Sequence, residues 1–191
     1  MVFARGIILE KKEHKEADWR YIAFTRELGK IEFISRGGRR VLARLSGHME
    51  PLTLTDLEFT MSNTLKVIGA SGVDHFYAIK EDPVLFSHAW ESIQFINHLL
   101  PFHYHDEALF DTLHTYLIKM NVLGKRKESS GFLKEEHLFS HTYTLLKTYA
   151  DVLGVTPELQ FDMNAVQLEQ GGVSPIRVLT AYFKNHLKNQ F

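Results

Sequence analysis

The chain has 191 residues, of which 45% are hydrophobic and 24% charged, with a formal net charge of −1 and no cysteine. This composition is typical of a globular protein with a sizeable core, in one large domain or two small ones. It excludes disulfides and thiolate zinc sites, and no apolar run of about 18 residues indicates a membrane span. The N-terminus becomes charged too early for a secretory signal, so we expect a cytoplasmic location.

Strand-forming residues dominate the first 80 positions. Runs rich in β-branched and aromatic residues predict strands over residues 3–11, 19–24, 31–35, 51–60, 65–70 and 74–80. No helical periodicity separates these runs. About five short strands at this spacing are typical of a small closed barrel.

The hydrophobic period changes near residues 80–83 from two to about 3.6. Apolar residues at helical spacing then predict helices over residues 83–100, 106–123, 133–153 and 176–188. Asp82 and Pro83 suit the start of the first helix, and Gly124 suits the C-terminal cap of the second. We therefore predict an α+β chain, strands first and helices after, with a five-stranded barrel in residues 1–80 and an all-α domain in residues 81–191.

Positive charge is concentrated in residues 29–44 (GKIEFISRGGRRVLAR), although the whole chain is nearly neutral. Adjacent glycines at 37 and 38 predict a tight turn or a close backbone approach. Guanidinium groups on such a loop suit phosphate oxygens, so this segment is the main candidate for DNA-backbone contacts. The predicted contact residues are Lys30, Arg36, Arg39, Arg40 and Arg44. A solvated charged hairpin without a ligand is the alternative.

Aromatic side chains of the barrel region are candidates for stacking on nucleobases. By strand parity Trp19 and Tyr21 share one face, whereas Phe24 points to the other. The candidates are Trp19, Tyr21, Phe24, Phe33 and Phe59, and at most one face can reach solvent. We name Trp19 and Tyr21 as the possible base-stacking residues. The alternative for every strand aromatic is a place in the core.

Histidines at 98, 103, 105 and 114 cluster in sequence near Asp106 and Glu107. A metal-dependent hydrolase site could be drawn from them, but the spacing matches no recognised ligand pattern. Polar residues at helix ends are the preferred interpretation, with no metal and no cofactor. Nucleophile-elbow, phosphate-loop and zinc-protease motifs are missing from the sequence, so no enzymatic activity is expected.

Four segments, in this order, resemble the bacterial recombination mediator family RecO. They are residues 24–29 (FTRELG), 35–40 (SRGGRR), 44–51 (RLSGHMEP) and 146–159 (LKTYADVLGVTPEL). No single motif is a sharp signature, and the order and spacing together carry the resemblance. The four cysteines that many members place after the last segment are missing, so zinc is not expected.

The resemblance implies an N-terminal OB-fold joined to a helical domain. It also implies binding of single- and double-stranded DNA, annealing of complementary strands, and work with RecR and single-strand-binding protein to load RecA at gaps. Such a protein acts in DNA repair and recombination at the bacterial nucleoid. An interaction adaptor that binds RecR and leaves DNA contact to its partner is the alternative.

Overall fold

A computed structural model describes residues 1–38, 45–60, 64–130 and 135–154. Its five strands form one closed barrel in the order β1-β2-β3-β5-β4. Neighbouring strands are antiparallel except β3 and β5, which run parallel and pair through Ile34 and Lys66. The strands are β1 (Val2–His14), β2 (Asp18–Thr25), β3 (Gly29–Ser35), β4 (Leu54–Thr60) and β5 (Lys66–Asp74). The predicted barrel is confirmed, and its architecture is that of an OB-fold.

Helices follow the barrel, as the change of hydrophobic period predicts. They are α1 (Tyr77–Glu81), α2 (Pro83–Leu99), α3 (Glu107–Ser130) and α4 (Glu135–Val152). The predicted start of α2 is confirmed, because Asp82 Oδ1 accepts hydrogen bonds from the backbone N–H groups of Val84 (2.9 Å) and Leu85 (3.2 Å). The helix predicted over residues 176–188 lies outside the described residues.

Two details of the predicted elements are wrong. Residues 77–81 form the helix α1 and not a strand, because Phe76 and Ile79 are buried three positions apart on one side of a helical turn. Gly124 does not end α3, which continues to Ser130. A Cβ atom at position 124 would lie 2.8 Å from both the Cβ and the carbonyl oxygen of Ala78, so this glycine permits close packing of α3 on α1.

The barrel and the helices share a hydrophobic core. Along β1, Ile8 packs inside the barrel with Tyr21, Phe33 and Phe59. Its neighbours Ile7 and Leu9 point the opposite way and pack in the helical core with α2, α3 and α4. β1 is therefore buried on both faces at this point, and the division at residues 80 and 81 stays a prediction.

A buried polar chain connects α2, α3 and α4. His88 Nδ1 lies 3.4 Å from Thr142 Oγ1, which lies 3.1 Å from the Tyr116 hydroxyl, and that hydroxyl is 3.2 Å from Ser92 Oγ. Burial lowers the pKa of His88 below its ordinary value. The interior of the helical domain thus holds a histidine that resists protonation while the protein is folded.

This histidine predicts a loss of stability in acid. Below a pH of about 6.5 the unfolded chain takes up a proton at His88 that the folded chain does not bind. The free energy of unfolding is therefore expected to fall from about that pH towards the lower folded pKa, and to fall less steeply in His88→Gln. Urea unfolding at a series of pH values measures this. The control is His98→Gln, at an exposed position of α2, which should keep the wild-type pH dependence. The same pH dependence of the free energy of unfolding in the wild type and in His88→Gln would contradict the prediction.

Candidate nucleic-acid interface

The pairing of three strands brings basic and aromatic side chains together at one end of the barrel. Trp19 at the start of β2 pairs with Ser35, the last residue of β3. Ile34 pairs with Lys66, the first residue of β5, and its N–H donates to the Leu65 carbonyl at 3.1 Å. The Lys11 ammonium lies 4.6 Å from the centroid of the Trp19 ring. We call Lys11, Trp19, Arg36 and Lys66 the basic end of the barrel.

The turn after β3 is fixed by its two glycines. Gly37 has a positive φ of 64°, and its N–H donates to Asp18 Oδ1 at 2.8 Å. A Cβ atom at Gly38 would lie 2.8 Å from Ser35 Oγ and 3.0 Å from Cδ1 of Trp19. Position 37 thus suits a residue that tolerates left-handed backbone, and position 38 suits one without a side chain, which confirms the predicted turn.

Arg36 is the predicted contact residue that the structure places at the surface. It is exposed, and it forms no ion pair with the described part of the chain. Arg39, Arg40 and Arg44 lie outside the described residues. The chain leaves for them at Gly38 and returns at Leu45, and Ser46 Oγ donates to the Gly38 carbonyl at 2.6 Å. Both described flanks of this arginine segment therefore meet at the basic end.

Lys30 is not exposed for contact with the DNA backbone, the role that the sequence predicts. Its side chain is buried, and its ammonium donates to the carbonyl of Leu100 at 2.8 Å and to that of Asn97. These carbonyls end α2, where the helix dipole favours a cation. Phe102 covers the ammonium at 4.6 Å, and burial lowers the Lys30 pKa. Position along the strand explains the error, because Lys30 lies at the start of β3, against the end of α2, whereas the basic end lies at the other end of β3.

Tyr21 is also inside the protein and cannot stack on a base in this structure. Its ring lies fully buried in the barrel, 5.3 Å from the Phe33 ring, and burial raises its pKa to about 12. Trp19 shares its face, as parity predicts, but lies at the strand end and is only half-buried. Of the two predicted stacking residues, only Trp19 reaches the basic end.

Most other cationic side chains of the barrel wall form ion pairs with carboxylates. Arg5 Nε lies 2.7 Å from Asp56 Oδ1, and hydrogen bonding from Arg5 lowers the pKa of that carboxyl. The remaining pairs in this part of the described structure join Lys11 to Glu50, Lys12 to Glu10, Arg20 to Glu32 and Glu10, and Arg26 to Glu107 and Asp111. Within the described part of the chain, Arg36 and Lys66 form no ion pair, so their charges are left for a polyanion.

Sequence reasoning missed Lys11 and Lys66, because only strand register brings these separate lysines to the Gly37 turn. The histidine group proposed from the sequence does not assemble. His105 Nε2 lies 2.8 Å from the Arg26 carbonyl, whereas His114 packs against Phe76 and Phe110. Within the described ranges, no group of three or more histidines and acids could hold a metal ion. None of the described helices is long and apolar enough to cross a membrane.

The fold and the basic end of the barrel define a class of protein. It is an OB-type barrel with a cationic end, joined to a helical domain. Residues 1–76 match the family model described as Recombination protein O N terminal. Residues 1–76, which include all five strands of the barrel, are thus similar to the N-terminal domain of the RecO family.

Curated relatives carry the same family name. A DNA repair protein RecO of Heliobacterium modesticaldum is 33% identical over 101 residues, which cover 52% of this chain and 37% of that protein. The RecO protein of Myxococcus xanthus is 27% identical over 119 residues, covering 61% and 49%. That of Roseiflexus is 26% identical over 155 residues, covering 81% and 50%. The chain thus spans half or less of the length of these relatives.

Proposed function

We propose that this protein is a DNA-binding recombination mediator that acts in DNA repair. It binds single- and double-stranded DNA through the phosphate backbone, anneals complementary strands, and helps RecR and single-strand-binding protein to load RecA at gaps. It works by binding and not by catalysis, in the bacterial cytoplasm at the nucleoid. The observation that supports this proposal is the basic end, where Arg36 and Lys66 flank the exit of the arginine segment from a RecO-type barrel.

The proposal predicts salt-sensitive binding with little sequence preference. Phosphate contacts release counterions from DNA, so four contacts give a slope of log K against log salt of about −3 to −4. Fluorescence anisotropy with a labelled oligonucleotide across a salt series measures this slope. Arg36→Gln is expected to weaken binding severalfold and to make the slope shallower by about one.

The matched control is Arg26→Gln, which removes the same charge from an arginine already paired with Glu107 and Asp111. It should leave the slope unchanged. Unchanged affinity in the double variant Arg39→Glu with Arg40→Glu at low salt would show that the site is assigned wrongly.

A second candidate function is that of an adaptor that binds RecR and leaves DNA contact to that partner. The ion pairs of the barrel wall and the burial of Lys30 favour it, because they reduce the free positive charge. Anisotropy distinguishes the two functions. An adaptor shows no DNA binding alone at low salt and a salt-sensitive shift only when RecR is present.

A further inference from the structure

Three neighbouring rings, one pair tilted and one pair stacked, form a row near the C-terminal end of β5. His48 closes the 3₁₀ turn Ser46–His48, His75 follows β5, and Tyr77 begins α1. The ring centroids of His48 and His75 are 6.4 Å apart, and those of His75 and Tyr77 are 5.3 Å apart with an angle of 27° between the planes. We call these residues the ring row.

The barrel holds the ring row in place through its backbone. The Gly72 N–H donates to His48 Nδ1 at 3.3 Å, and Thr55 Oγ1 donates to the His48 carbonyl at 2.6 Å. A Cβ atom at Gly72 would lie 2.5 Å from Nε2 of His75, so the glycine lets this ring lie close against β5. His48 and His75 are therefore positioned before any ligand arrives, which lowers the entropy lost on binding.

The 3₁₀ turn and β5 connect the ring row to the basic end. Ser46, whose hydroxyl bonds the Gly38 carbonyl, begins the same 3₁₀ turn that His48 ends. Lys66 and Gly72 are six residues apart on β5, which corresponds to about 20 Å of strand. A flexible polyanion that contacts Arg36 and Lys66 can thus pass over the ring row within a few nucleotides.

We propose that the ring row binds unpaired nucleobases of single-stranded DNA by stacking, with Tyr77 as the outermost platform. The Tyr77 side chain is 63% exposed, and one of its faces is already supported by His75. Stacking on an aromatic ring tolerates any base sequence, because every base has a π face. The bases of a duplex are stacked on each other and are not available, so the ring row favours single strands. This proposal rests on the proposed DNA binding.

One lysine and two carboxylates close in sequence to the ring row have partners within the protein. The ammonium of Lys80 is engaged by Thr53 Oγ1 at 2.9 Å, and Asp74 Oδ1 accepts from the Phe76 N–H at 2.8 Å. Glu50 is paired with Lys11. Asp74 and Glu50 thus already have partners within the protein. The imidazole and phenol edges add hydrogen-bonding groups beside the ring faces.

The test compares two labelled oligonucleotides of equal length, oligo(dT) and an abasic oligonucleotide that keeps the phosphates without the bases. The wild-type chain is expected to bind oligo(dT) more tightly. Tyr77→Ala should lower the affinity for oligo(dT) about fivefold or more and leave the abasic affinity unchanged. Tyr77→Phe, which keeps the ring, should retain the wild-type preference.

A second variant separates stacking from phosphate binding, because Arg36→Gln should weaken binding of both oligonucleotides by the same factor. Thermal unfolding of Tyr77→Ala checks that the fold is intact, as expected for a substitution at an exposed position. Equal wild-type affinities for the two oligonucleotides, or no change in Tyr77→Ala, would overturn the stacking proposal and leave backbone binding standing. No binding of either oligonucleotide at low salt would overturn both.

Discussion

Replacing Gly29 by alanine is expected to lower the free energy of unfolding by about 3 kcal/mol or more. Gly29 has a φ of 68°, where a side chain is strained. An added Cβ would also lie 2.2 Å from the carbonyl oxygen of Tyr104 and 2.6 Å from its carbonyl carbon. Two backbone hydrogen bonds join these segments. The Lys30 N–H donates to the Tyr104 carbonyl at 3.1 Å, and the His103 N–H donates to the Lys30 carbonyl at 2.7 Å. An alanine side chain at position 29 therefore fits only if the loop before α3 moves away from the barrel.

Urea denaturation followed by circular dichroism measures this loss. Gly47→Ala is the matched control, because no heavy atom lies within 4 Å of a Cβ built there, and it should change the free energy of unfolding by less than about 0.5 kcal/mol. A Gly29→Ala variant as stable as Gly47→Ala would show that the loop can move aside freely.

Replacing Lys30 by methionine is expected to cost about 2 to 4 kcal/mol of stability. Methionine fills a similar volume but donates no hydrogen bond, so the carbonyls of Asn97 and Leu100 lose their ammonium partner at the end of α2. Both carbonyls lie at the junction with the barrel, where water cannot readily replace the lost donor. The same substitution should leave DNA affinity unchanged under conditions where the variant is folded.

This pair of readouts separates two roles for Lys30. A phosphate-binding lysine would lose DNA affinity and keep its stability, which is the opposite result. Lys12→Met is the control for stability, since the Lys12 ammonium is exposed and pairs with Glu10 at 2.9 Å. Anisotropy and urea denaturation of both variants decide between the roles.

The parts of the fold that local patterns determine are predictable from the sequence. The barrel follows from short strand-forming runs, and the start of α2 follows from Asp82 and Pro83, whose capping chemistry is local. Gly124 shows the limit of such reasoning. A glycine near the end of an apolar helical pattern is expected to be a cap, and only the packing of α3 on Ala78 reveals that it is needed for close approach.

Residue types indicate a candidate DNA interface, but the positions of those residues in three dimensions are not predictable from the sequence. The turn at Gly37 and the exposure of Arg36 agree with the composition of the segment. Lys30 and Tyr21 have the right residue types for DNA contact. Lys30, however, lies at the start of β3 against the end of α2, and Tyr21 lies on the inner face of the barrel. Lys66 joins the site only through the parallel pairing of β3 and β5, a long-range contact that no local pattern encodes.

Because the barrel and the helices share a core, a ligand that binds the barrel can also change the stability of the helices. Ile7, Leu9 and Phe24 belong to the barrel wall and also pack among the helices. If the two parts unfold together, a ligand on the barrel at a hundred times its dissociation constant adds about 2.7 kcal/mol to the opening free energy of both. Helices that never touch DNA would then exchange their amide hydrogens more slowly when DNA is bound. Conversely, any weakening of helix packing would reduce the population of chains able to bind.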